Sequence, residues 1–532
     1  MRQTIVGLLI ALLPCAASLA QEQAVRSAVV RTEAGLVQGA LEKGVAVYKG
    51  VPFAAPPVGP LRWRAPQVPT PWPGIRKADH YAPACAQVSL VNTALGIPAV
   101  PTSEDCLYLN VWSPAKSGQD PLPVMVWIYG GGFAGGATSY PVYDGTQLAH
   151  KGVVLVSVAY RVGPFGFLAH PALTQESGRS SGNYGLLDQI AGLKWVQQNI
   201  ASFGGDPHRV TIFGESAGGA SVSMLAASPL ANGLFQGVIS ESGGSFGPAK
   251  TDNEGGMFVP PLATAERNGA AFLAALGASS PDAARQLPAE AILKGPGASM
   301  IGGIFWPNFD GYVLTGDQYL LYSAGLQNDT PILVGTNSDE GAIFPYARDA
   351  AAYVKSVRAQ YGDYADKILA AYPAGTDAQA ARSSRDLFRD STFAWNTWAW
   401  ARLQSRTGRG RVYLYYFTHR PPYPERPPFK DWGAIHASEL AYVFGNLIQP
   451  GMSFTSADRS LADQIGSYWT NFAKHGDPNG GSLPRWPAFS ARHALVMHFD
   501  GTPQSGPVPN LEKLQVLEGY YAWRRAQAKG KP

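Results

Sequence analysis

Five short apolar runs in the middle of the chain constrain its fold more than any other feature. They are Val124-Met125-Val126-Trp127-Ile128-Tyr129, Val153-Val154-Leu155-Val156-Ser157-Val158, Val210-Thr211-Ile212-Phe213, Gly237-Val238-Ile239-Ser240 and Pro331-Ile332-Leu333-Val334-Gly335. Their apolar character is continuous rather than alternating, as expected of strands covered on both faces. Helical patterns lie between them, most clearly Leu186 to Ala201. Strands alternating with helices predict an α/β protein with a large, mostly parallel central sheet covered by helices on both faces. The low charge agrees: 15% of residues are charged, against about 25% in an average soluble domain. That balance excludes a disordered, charge-solvated chain. A net charge of +4 without a long Lys/Arg run argues against nucleic acid as the main partner. The Pro-rich stretch Arg420 to Phe429 reads as a loop. A final helix is expected over Leu511 to Ala528, with its basic residues on a solvated face.

The third run leads into Gly214-Glu215-Ser216-Ala217-Gly218, followed by a helix-compatible stretch from Ala220 to Ala227. A G-x-S-x-G between a strand and a helix is the context of a nucleophile elbow, in which a tight turn lifts the serine hydroxyl above the sheet. A serine hydroxyl is a weak nucleophile without a base, an acid to orient that base, and donors for the oxyanion. Tyr129-Gly130-Gly131-Gly132-Phe133 ends an upstream strand, and its glycines let backbone N–H groups converge on one point. In this kind of elbow the acid and then the base follow the serine along the chain. Five histidines do so: His419, His436, His475, His493 and His498. His436 precedes a helical stretch and is well placed as the base. Asp339 and Glu340, after the fifth apolar run, are equal candidates for the acid; Asp310, before Gly311, reads as a turn.

These motifs resemble the type-B carboxylesterase/cholinesterase family of α/β-hydrolases. The resemblance runs from Gly50-Val51-Pro52-Phe53-Ala54, through Glu104-Asp105-Cys106-Leu107-Tyr108-Leu109-Asn110 and Gly182 to Pro207, to Phe472-Ala473-Lys474-His475-Gly476-Asp477-Pro478-Asn479. It implies an α/β-hydrolase fold and a Ser216–Glu340–His436 triad acting on small-molecule esters through an acyl-enzyme, with no metal or other cofactor. It also implies Gly131, Gly132 and Ala217 as oxyanion donors, Glu215 and Ser242 as accessory groups, and ion pairs Arg62–Glu104 and Arg161–Asp188. The segment between Cys85 and Cys106 contains no Trp, Tyr or Phe. Cholinesterases place there an aromatic that stacks on a quaternary ammonium, so a choline ester is disfavoured. A broad carboxylesterase is the first reading, and an esterase for a bulky natural-product ester or diester the second. Adhesion proteins of similar sequence that do not catalyse lack triad members, and none is missing here. Ile304-Phe305-Trp306, Phe344 and Phe393 are candidates to line the pocket. Trp395, Trp398 and Trp400 cannot share one helix face and read mainly as core.

The N-terminus reads as a signal peptide over residues 1–20: Arg2, an apolar core from Ile5 to Leu13, and a small-residue cleavage site ending at Ala20. Nine apolar residues fall short of the roughly 20 that span a membrane, and no other run is long enough, so no transmembrane segment is expected. Pro14 before Cys15 fits lipid attachment poorly. The expected location is therefore secreted or periplasmic. In that compartment Cys85 and Cys106 form a disulfide most simply, a pairing the family pattern also implies. A length prior of about 150 residues per domain would divide 532 residues into three or four. Glycines near 131, a serine at 216, an acid near 340 and a base at 436 must instead meet at one site, so residues 21–532 are expected to form a single catalytic domain. Nothing in the sequence indicates an oligomeric state.

Overall fold

A computed structural model describes residues 29–88, 99–114, 120–250, 257–298, 303–427, 429–449 and 451–529. The expected signal segment and Cys15 lie outside the described residues. The main sheet has eleven strands: β1 (Ala40–Glu42), β2 (Val45–Pro52), β3 (Tyr108–Ser113), β4 (Leu122–Ile128), β5 (Val154–Val158), β6 (Gly205–Glu215), β7 (Gly237–Glu241), β8 (Ile332–Asn337), β9 (Val412–Phe417), β10 (Leu495–Phe499) and β11 (Gln504–Pro507). Across the sheet they run β11-β10-β9-β8-β7-β6-β4-β5-β3-β2-β1. Strands β4 to β10 are mutually parallel. Antiparallel pairings finish both edges, with β11 at one and β3, β2 and β1 at the other.

All five apolar runs are strands of the parallel centre. Every residue of β5, β7 and β8 is buried. Successive side chains point to opposite faces, so these strands are covered on both sides, as the unbroken hydrophobicity implied. The helices needed below are α1 (Tyr184–Asn199), α2 (Ala217–Ala227), α3 (Asp377–Arg389), α4 (Trp395–Thr407), α5 (Ser456–His475) and α6 (Leu511–Lys529). Helix α2 starts directly after Ser216, three residues earlier than its apolar pattern suggested, because the two glycines join its first turn. The β4–β5 and β4–β6 pairings make chain order reverse at β4. Loops leaving the C-terminal ends of neighbouring strands diverge there and open a crevice; the β4 and β6 loops carry Gly131 and Ser216.

The Cys85–Cys106 disulfide is formed. Both expected ion pairs are present as two-pronged contacts: Arg62 donates to Glu104 at 2.7 and 2.6 Å, and Arg161 to Asp188 at 2.8 and 2.7 Å. Trp395, Trp398 and Trp400 are buried core residues. Asp310 closes a turn by accepting the N–H groups of Tyr312, Val313 and Leu314. The solvated basic face expected for the last helix needs correction. Arg525 of α6 binds Asp317 at 2.9 Å and the Phe246 carbonyl, Arg524 donates to the Ala249 carbonyl, and Lys513 reaches Asp386. These cations dock α6 because backbone carbonyls and two carboxylates from distant segments converge beneath it, a convergence that sequence spacing does not reveal.

Candidate active site

Ser216 occupies the turn between β6 and α2 at φ 55°, ψ −120°, a backbone conformation costly for a residue with a side chain. The flanking glycines make the turn possible by close approach. A Cβ on Gly218 would lie 2.0 Å from the Ile128 carbonyl oxygen, and one on Gly214 2.5 Å from the Gly218 carbonyl carbon. The turn is held by Ser216 N–H donating to the Glu241 carbonyl at 2.9 Å.

Glu340 and His436 come from loops after β8 and β9. Asn337, at the end of β8, donates its side-chain amide to the Ile435 carbonyl at 2.8 Å, and Asp339 N–H donates to the Ala434 carbonyl at 2.9 Å. These bonds lock the two loops together. His436 Nδ1 then lies 2.5 Å from Glu340 Oε2, and its Nε2 lies 2.8 Å from Ser216 Oγ. The other Glu340 oxygen accepts Ser242 Oγ–H at 2.5 Å and Asn337 N–H at 2.8 Å. The two adjacent acids differ in burial and direction. Glu340 is fully buried against the imidazole, whereas Asp339 is exposed and accepts the Ser338 hydroxyl.

The upstream glycine turn lies against the elbow. A Cβ on Gly130 would be 3.0 Å from that of Ser216. Gly131 (φ 115°) and Gly132 (φ 62°) curl this turn, and the Gly131 carbonyl accepts the Ala134 and Gly135 N–H groups. The Gly131 and Gly132 N–H groups donate to no acceptor among the described residues. Ala217 opens α2, where an N–H has no partner within the helix.

Glu215 is buried beside His436, its Oε1 3.2 Å from Nε2. Burial pushes its carboxyl up to about 7. Burial opposes charging of His436, but the Glu215 and Glu340 carboxylates outweigh it and hold the imidazole above its ordinary value. Sequence reasoning does not single out Glu241, Glu439 or Asn337. Glu241 is buried, pushed up to about 8 by desolvation, and accepts Trp469 Nε1–H at 2.8 Å. Glu439 accepts the Asn337 amide. Its place three residues after His436 was the available signal.

Two aromatic rings flank His436. Phe393 stacks on the imidazole with centroids 4.5 Å apart, and Phe344 lies 5.4 Å away at a tilt. Phe393 belongs to a π turn, Asp390–Ala394, inserted between α3 and α4; such turns recur at functional sites. The turn is pinned by Arg389 and Tyr372 on Asp390, while Arg389 also donates to the Ser338 carbonyl of the acid loop. Trp306 packs edge-on against Phe133 of the glycine turn. Among the described residues no His/Cys/Asp/Glu group could hold a metal, and no helix is long and apolar enough to cross a membrane.

A parallel sheet with a serine elbow, and a histidine and a glutamate brought to that serine by later strand loops, defines an α/β-hydrolase. Residues 26–517 match the carboxylesterase family, and the chain belongs to that family of carboxylic-ester hydrolases. It is 40% identical over 489 residues to the fumonisin B1 esterase of Sphingopyxis macrogoltabida, covering 89% of this chain and 87% of that protein. It is 36% identical to the para-nitrobenzyl esterase of Bacillus subtilis (strain 168), covering 92% and 98%. A solved PNB esterase structure superposes with a TM-score of 0.80 at 36% identity, covering 92% of this chain and 99% of the other.

Proposed function

We propose that Ser216, His436 and Glu340 hydrolyse carboxylic esters in two acyl-transfer steps. His436 Nε2 takes the hydroxyl proton as Ser216 Oγ attacks the ester carbonyl carbon. Glu340 holds the imidazole in the tautomer with Nδ1–H and stabilises the imidazolium. The N–H groups of Gly131, Gly132 and Ala217 receive the oxyanion. His436 returns the proton to the leaving alcohol, and water then cleaves the acyl-enzyme by the same path. Ser242 steadies Glu340, and Glu215 favours the imidazolium. The observation that carries this reading is the unbroken series Ser216 Oγ–His436–Glu340 at 2.8 and 2.5 Å.

The substrates are small-molecule esters of broad range. A specialised ester or diester is the second reading, supported by the 40% identity to a protein named for fumonisin B1. Residues 21–532 act as one catalytic domain, supported by a sheet whose strands run from Ala40 to Pro507. Cleavage after Ala20 and release to the periplasm or medium rest on the N-terminal pattern and the oxidised Cys85–Cys106 pair. The test is kinetic. With p-nitrophenyl butyrate, Ser216→Ala should abolish turnover and retain the fold by circular dichroism, and Glu340→Gln should lose far more activity than Asp339→Asn. Full turnover by Ser216→Ala, or the reverse order of the acid variants, would refute the assignment.

A further inference from the structure

Beyond the triad, the helix packed on the acid loop, α3, and the turn that folds back onto it each carry an arginine without an acidic partner among the described residues. Gly341, the residue after Glu340, is pressed against α3 at Arg385: a Cβ there would lie 2.3 Å from the Arg385 carbonyl oxygen and 3.0 Å from its Cα. Three residues further along α3, the Phe388 ring packs 4.6 Å from that of Phe344, which faces His436. Positions three apart share one helix face, so Arg385 extends the aromatic wall that starts at the catalytic base. The chain from Phe344 turns back onto this face, held by Ala347 N–H donating to Ser384 Oγ at 3.1 Å. Tyr346 thereby meets the guanidinium groups of both Arg385 and Arg348, at 5.2 and 5.8 Å from its ring centre.

Neither arginine forms an ion pair with a carboxylate among the described residues. The nearby acids are engaged elsewhere. Asp349 caps the helix that follows it, Asp377 accepts the Ala350 N–H, and Asp386 binds Arg389 and Lys513. Arg385 is half-buried, and a partly desolvated cation without a counter-charge is an unfavourable arrangement unless an anion completes it. A guanidinium beside a ring keeps its in-plane N–H fork free, the geometry that clasps a carboxylate.

We propose that Arg385 and Arg348, steadied by Tyr346, form a subsite for a free carboxylate on the ester substrate, so that the enzyme prefers half-esters of polycarboxylic acids or esters of carboxylated alcohols. The proposal rests on the triad reading and names the substrate class of that same site. The ester carbonyl lies at Ser216, and the chain runs past Phe344 and Phe388 to the arginine pair.

The test compares matched esters on the purified enzyme, corrected for spontaneous hydrolysis. Mono-p-nitrophenyl adipate and suberate are set against p-nitrophenyl hexanoate and octanoate, which probes the acyl arm. For the alcohol arm, 4-carboxyphenyl hexanoate is set against phenyl hexanoate. The readout is the ratio of kcat/KM, charged over neutral, in the wild type, Arg348→Gln, Arg385→Gln and the double variant. In at least one arm the double variant should lower that ratio by about tenfold or more, carried by KM, as expected for loss of a charge-assisted contact. Arg348 is exposed, so its single variant should show part of the fall even if Arg385→Gln folds poorly. Arg409→Gln removes the same charge from a residue in the turn before β9, the opposite end of the sheet from the triad loops, and should leave the ratio in place. A ratio within about twofold of wild type in both arms, or an equal fall in Arg409→Gln, overturns the subsite while the triad reading stands. Absence of wild-type turnover on every ester overturns the triad reading, and the subsite with it.

Discussion

Replacing Gly341 by alanine should disable the enzyme without touching a reacting atom. Gly341 is not among the glycines with positive φ, so alanine fits its backbone conformation, and the effect must come from contact. The new methyl would lie 2.3 Å from the Arg385 carbonyl oxygen and 2.9 Å from its carbon. Ordinary carbon–oxygen approach is about 3.3–3.6 Å, so the acid loop and α3 must part by about 1 Å. Both sides of the contact are backbone, and no rotamer change can relieve it. The neighbouring residue is Glu340, whose Oε2 is 2.5 Å from His436 Nδ1. A shift of about 1 Å takes that contact past ordinary hydrogen-bond length and costs about a hundredfold in rate. Overpacking adds a stability cost of about 1–3 kcal/mol. Kinetics on p-nitrophenyl butyrate should therefore show kcat falling about a hundredfold with KM little changed, because Glu340 acts through the imidazole and not on the ester. Gly316→Ala is the control, since nothing lies within 4 Å of its added Cβ. Wild-type kcat and melting temperature in Gly341→Ala would refute the reasoning that this contact sets the position of the acid.

Three further outcomes follow from the buried charges. Glu215→Gln removes a carboxylate that favours protonated His436 against the effect of burial; since the base must be neutral, the acidic limb of the kcat/KM profile should move to lower pH. A limb that stays or rises would contradict this. Glu241 is raised by burial from 4.5 to about 8. The folded state therefore keeps a proton that the unfolded chain has lost, and this contribution to stability is full below pH 4.5 and lost as pH rises through about 8. Glu241→Gln should accordingly gain melting temperature relative to wild type between pH 5 and pH 9, and an opposite trend would count against a desolvated carboxyl there. Asp188→Asn leaves the buried Arg161 without its counter-charge and should cost about 3–5 kcal/mol in urea unfolding; a change below 1 kcal/mol would show water reaching the pair.

Much of the architecture was legible because buried parallel strands need apolar residues on both faces. Runs such as Val153 to Val158 therefore stand out without alignment to anything. The elbow was legible for a similar reason: glycine at 214 and 218 is demanded by backbone contacts within a few residues of chain or with the adjoining strand. Less visible were β9 to β11 and β1 to β3, where Tyr, His and Gly interrupt the hydrophobic signal. The basic residues of α6 were misread as solvated because their acceptors, Asp317, Phe246 and Ala249, lie some 200 or more residues away in the chain.

The sequence by itself determined the strand core, the serine elbow and the chain order of the proposed acid and base, all matters of local pattern. Residue spacing did not distinguish Asp339 from Glu340, since adjacent acids in one loop differ only in direction. Family resemblance favoured Glu340, and the two acids part in burial and direction only in the tertiary structure. The β8 and β9 loops are tied together so that Glu340 is buried against His436, while Asp339 turns outward. The same assembly placed Phe393 on the imidazole, set Glu215 beside it and brought Arg385 over the acid loop. Direction, burial and the meeting of distant charges depend on packing, and packing is decided only when the whole chain has closed around its sheet.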